Sequence, residues 1–112
     1  MTEPIDAATF RALQDSTGRE FVAELVGTFL EEAPGLLGQM RTALAAADAD
    51  GLRRAAHSLK SNALAFGANA LAERARGVEL GGLAAAAGGG SLADLEAEFT
   101  RARAALERLR DA

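Results

Sequence analysis

Leu52-Arg53-Arg54-Ala55-Ala56-His57-Ser58-Leu59-Lys60-Ser61-Asn62-Ala63-Leu64-Ala65-Phe66-Gly67 carries most of what this chain discloses about itself. Leu52, Ala55, Ala56, Leu59, Ala63 and Phe66 recur three and four apart. At about 100° per residue they form one apolar stripe of a helix, the side that must be buried. His57 then falls roughly 140° from the centre of that stripe, Ser61 about 180° and Lys60 about 80°. The imidazole is therefore expected to face solvent, with Ser61 outward of it and Lys60 at the flank one turn on. Leu64, at about 120°, is expected to remain exposed.

The rest of the chain has the same character, with five or six helices and no strand candidate. Asp6 is a cap for a short first helix running to Leu13, and Thr17 with Glu20 matches a capping box for the next. Val22, Leu25, Val26, Phe29 and Ala33 supply that helix's stripe, and Pro34 is expected to end or kink it. Leu36, Leu37, Met40 and Leu44 form a third segment. Asp48 caps the helix bearing His57, and Gly67 stops it after Phe66. A further helix is expected over about Asn69 to Leu80. Gly88-Gly89-Gly90 reads as a flexible loop, and Ser91 with Asp94 caps a last helix whose apolar residues Leu92, Leu95, Phe99, Ala102, Leu106 and Leu109 have bundle spacing. The expected fold is all-α, an antiparallel four-helix bundle with a short additional N-terminal helix, formed by residues 1–112 as a single domain.

Composition narrows the function classes. The 112 residues suffice for one core, and 49% hydrophobic with 25% charged residues marks a folded, soluble chain rather than a disordered one. The absence of cysteine excludes disulfides and thiolate metal sites. The N-terminus has no basic region followed by an apolar run, and no eighteen-residue apolar stretch exists, so a cytoplasmic protein without a membrane segment is expected. The net charge of −4 speaks against nucleic acid. Charge is nonetheless segregated: Glu20, Glu24, Glu31 and Glu32 make one segment acidic, while Arg53, Arg54 and Lys60 make the surroundings of His57 basic.

His57 is the only histidine and Lys60 the only lysine, the other eleven basic residues being arginine. A neutral imidazole is a nucleophile, and an ammonium at i+3 reaches the same surface. One histidine without cysteine falls short of a metal site, and no serine–carboxylate–His57 spacing points to hydrolysis. No carboxylate is apparent on the His57 face as a simple salt-bridge partner. The competing reading is a solvated histidine on an ordinary amphipathic helix, in a non-catalytic helical interaction or adaptor module.

Ala56-His57-Ser58-Leu59-Lys60-Ser61-Asn62-Ala63, followed by Phe66-Gly67-Ala68, resembles the signature of histidine-containing phosphotransfer (HPt) domains of multistep two-component phosphorelays. Phe29-Leu30-Glu31-Glu32-Ala33-Pro34 before Leu36-Leu37 resembles that family's second helix and its proline turn. The chain departs from the family pattern in having Ser61 where glycine is frequent and Asn62 where serine is frequent. The resemblance implies a carrier, not an enzyme, that accepts a phosphoryl group on His57 from a receiver-domain aspartyl phosphate and passes it to another receiver aspartate. It implies that Lys60 stabilises the phosphoryl charge and that Arg53, Arg54, Ser61 and Leu64 meet the partner. Partners would be response-regulator receiver domains or a hybrid histidine kinase. No cofactor of its own is implied, Mg²⁺ being expected from the receiver, and the protein is expected to act as a free-standing monomer. A phosphoacceptor domain excised from a chemotaxis-type histidine kinase would carry the same signature.

Overall fold

The computed structural model describes residues 3–88 and 91–112. These described residues form five helices: α1 (Ala7–Thr17), α2 (Arg19–Ala45), α3 (Ala49–Ala65), α4 (Asn69–Ala87) and α5 (Ser91–Asp111). Among the described residues there is no strand. α3 has its widest contact with α4 and then with α2, and α5 packs on α4 and α2, so these four helices enclose the core. α1 rests on α2.

Every member of the apolar stripe on α3 and its C-cap is buried, from Leu52 through Ala55, Ala56, Leu59 and Ala63 to Phe66. Val22, Val26, Phe29, Ala33 and Met40 of α2, Leu71, Ala72 and Ala75 of α4, and Leu95, Phe99 and Leu106 of α5 meet them. Three rings join separate parts of the core: Phe29 lies 5.4 Å from Phe66 and 6.0 Å, edge-on, from Phe99. Aromatic pairs at these separations add to the stabilisation from burial itself.

Both ends of α3 are set by local hydrogen bonding. The Asp48 carboxylate accepts the Gly51 amide at 2.9 Å, as an N-cap should. At the other end the Gly67 amide donates to the Leu64 carbonyl and the Ala68 amide to that of Ala63, a Schellman closure. Gly67 has φ +79°, and a Cβ there would stand 2.9 Å from that of Thr9. Its carbonyl also accepts the Asp6 amide, which ties the N-terminal segment to the end of the histidine helix.

Four boundaries differ from the sequence expectations, each for a local reason. α1 continues past Leu13 to Thr17. Thr17 opens no capping box: its hydroxyl donates back to the Leu13 carbonyl, and Gly18 at φ +94° makes the turn to α2 alone. Pro34 neither ends nor divides a helix, because α2 runs through it to Ala45. Ala33 and Leu37, on either side, are buried on one face while Pro34 is exposed, so packing of the flanking turns outweighs the lost amide donor. α4 extends beyond Leu80 to Ala87, interrupted at Gly82, whose φ +65° and ψ −151° are open essentially to glycine alone. The expected loop at Gly88-Gly89-Gly90 lies partly outside the described residues, as does the position preceding Ser91.

Because Pro34 interrupts the hydrogen-bond ladder of a helix held by tertiary contacts, Pro34→Ala should stabilise the protein by about 1–2 kcal/mol in urea denaturation. A loss of stability would show that α2 depends on the proline.

Candidate functional site

The amphipathicity of α3 sends His57 outward as its spacing requires, and 58% of the side chain is exposed. Ser58 and Ser61 are exposed beside it, toward α2. Lys60 lies at the flank, on the same side as the imidazole but only 21% exposed. What occupies the flank with it is a carboxylate that sequence reasoning overlooked. Glu79 of α4 approaches His57 Nδ1 through Oε2 at 2.7 Å and Lys60 Nζ through Oε1 at 2.8 Å. The expectation that His57 has no acidic neighbour is corrected: the acid comes from the adjacent helix, 22 residues along the chain.

Glu79 is itself mostly buried, with 15% of its side chain exposed, and its Oε1 is shielded from water. The contact at Oε1 is an ion pair with the ammonium rather than a well-aligned hydrogen bond. Lys60, then His57, hold the Glu79 carboxyl below its ordinary pKa, against the opposing effect of desolvation. An ionised carboxylate only accepts hydrogen bonds, so the proton shared with the imidazole belongs to Nδ1. In the neutral form of the ring Nε2 then carries the lone pair, and among the described residues it has no hydrogen-bond partner.

On its other side His57 borders an open groove between α2 and α3, lined by Glu31, Glu32, Gly35, Gln39 and Ser61 among others. The remaining residues singled out from sequence fall around this centre. Leu64 is 51% exposed, as its angle on the helix predicts. Arg53 is exposed but engaged with Asp50 of its own helix at 3.3 Å. Arg54 lies further along the α2–α3 cleft, near Asp48 and Ser58. Among the described residues, no three histidine, cysteine or carboxylate side chains converge as metal ligands, and no helix is long and apolar enough to cross a membrane.

A family model for the Hpt domain matches residues 24–112. The chain belongs to the Hpt-domain family. A crystal structure of histidine-containing phosphotransfer protein B (HptB) from Pseudomonas aeruginosa PAO1 matches it with a TM-score of 0.87 and 26% identity, over 99% of this chain and 97% of that one. No curated protein matches the chain in sequence. The Hpt match takes in the whole of α3 and α4, and hence His57, Lys60 and Glu79 together.

Two measurements test this geometry. Ring ¹⁵N shifts should report the Nδ1–H tautomer for His57, and Glu79→Ala should return the ring to a mixture; an Nε2–H ring in the unaltered protein would contradict the assignment. The lowered Glu79 pKa belongs to the folded state. Its stabilisation is therefore complete above the ordinary value of 4.5 and is lost as pH falls through the lowered one. Below pH 4.5 the urea midpoint should accordingly fall more steeply for the parent than for Glu79→Gln.

Proposed function

We propose that His57 Nε2 is the phosphoryl acceptor of a phosphorelay carrier, loaded from a receiver-domain aspartyl phosphate and discharged to the aspartate of another receiver. The observation that carries this reading is an exposed imidazole whose Nδ1 is occupied by a carboxylate while Nε2 remains free. As the Nε2 lone pair forms the N–P bond, the P–O bond to the donor aspartate breaks and the aspartate leaves as a carboxylate. The ring, retaining its Nδ1 proton, becomes cationic, and Glu79 lies where that charge develops. Phosphoryl transfer draws chiefly on positioning and charge compensation, which a carrier provides without a catalytic pocket of its own. Mg²⁺ is assigned to the receiver.

Lys60 then has two tasks. Its ammonium holds Glu79 against the histidine, and its remaining protons are available to phosphoryl oxygens arriving at Nε2. Ser61 and Leu64 provide a small polar and an apolar contact beside the histidine, and Arg53 and Arg54 a basic margin. A small interface of this kind suits transient docking. As parts of the same proposal, α2 to α5 form an antiparallel four-helix bundle with α1 as an addition, within one domain of residues 1–112. The protein acts as a cytoplasmic monomer and turns over no substrate of its own.

Label transfer from a phosphorylated receiver tests the reading. His57→Gln should abolish it while changing stability by less than about 1 kcal/mol, as expected of an exposed position. Retained labelling would move the acceptor elsewhere, and an adaptor role would show no labelling of the parent and receiver binding indifferent to the change. Lys60→Ala removes a charge-assisted contact of about 1.5 kcal/mol or more, so transfer should slow roughly tenfold or beyond.

A further inference from the structure

The acidic side chains of the four long helices divide by position. In α3, α4 and α5 each of them, from Asp50 to Asp111, forms an ion pair with a nearby basic residue. The four of α2, Glu20, Glu24, Glu31 and Glu32, are exposed and pair with none among the described residues. Glu31 and Glu32 stand in the lining of the groove that also contains His57. Gly35, one turn on, belongs to that lining as well. A Cβ at Gly35 would meet nothing within 4 Å, and its backbone is helical, so neither packing nor φ calls for glycine there. Glycine inside a helix lowers its stability, and of the three glycines of α2 with such open surroundings, Gly27, Gly35 and Gly38, Gly35 is the one that lines the groove.

We propose that this α2 wall selects the partner: Glu31 and Glu32 favour receiver domains whose docking face carries lysine or arginine, and Gly35 lets that face approach closely. The inference rests on His57 being the phosphoryl acceptor. Phosphorylation adds a further anion beside two uncompensated carboxylates and Glu79, so a receiver bringing more negative charge to α2 is repelled. One bringing cations over Glu31 and Glu32 is attracted. Arg54, further along the same cleft, gives the opposite sign at the other end, so the groove also fixes the direction in which a charged docking helix lies.

The test separates this selection from the phosphoryl chemistry. Phosphoramidate, a small donor, is used first: its N–P bond breaks, a bond to His57 Nε2 forms, and ammonia departs. Phosphorylated protein is then purified and mixed with one receiver domain in two forms, with two lysines on its docking helix or with glutamates in their place. The parent should pass label to the lysine form about tenfold faster at low ionic strength, the gap narrowing in high salt. The double variant Glu31→Lys, Glu32→Lys should reverse that preference, and Gly35→Leu should slow transfer to both forms. Equal rates from the parent to the two receivers, or a preference unchanged by the double variant, would overturn the selection while leaving the acceptor role intact. Failure of phosphoramidate to label His57 in the folded parent would overturn the acceptor role, and the selection with it.

Discussion

Glu79 is one carboxylate with two oxygens, and α3 sends a different side chain to each. The imidazole and the ammonium are thereby held against one acceptor that is mostly withdrawn from water. A carboxylate removed from solvent is costly unless compensated, so the contact constrains all three groups. The ring cannot rotate freely, its Nδ1 is committed to the proton, and the lysine stays near the surface the histidine presents. This requires α3 and α4 to keep a particular register, which their broad interface and the Schellman turn at Gly67 maintain.

The proposed acceptor role asks an exposed histidine to do chemistry without an enclosed pocket, and the same arrangement meets that demand. A pocket supplies desolvation and fixed dipoles; here the ring needs only a fixed tautomer and a neighbouring charge, because the phosphoryl group arrives already activated on another protein. Exposure is then an advantage, since the proposed relay has a donor and an acceptor reach one atom. The aromatic contacts of Phe29 with Phe66 and Phe99 add to the stability of the core that carries this site.

Helix periodicity made α3 readable in detail. The burial of Leu52 through Phe66, the Asp48 cap, the Gly67 stop and the exposure of His57, Ser61 and Leu64 all depend on neighbours within one or two turns, and the structure agrees on each. Where expectation and structure part, a competing local rule or a distant contact prevailed. At Thr17 a back-bond to Leu13 and a single positive-φ glycine replaced the capping box. At Pro34 the burial of Ala33 and Leu37 carried the helix onward.

By itself, then, the order of residues determined that the chain is helical and that a lone imidazole and a lone amine share one side of the helix that begins after Asp48. That follows from a 100° rotation per residue and the need to bury leucine, alanine and phenylalanine. Tertiary structure alone decided that Glu79 joins them. Twenty-two residues separate it from His57, and no periodicity within either helix specifies the rotation and offset at which α3 and α4 pack. Side chains from both helices settle that jointly, and with it the nitrogen of His57 that Glu79 engages.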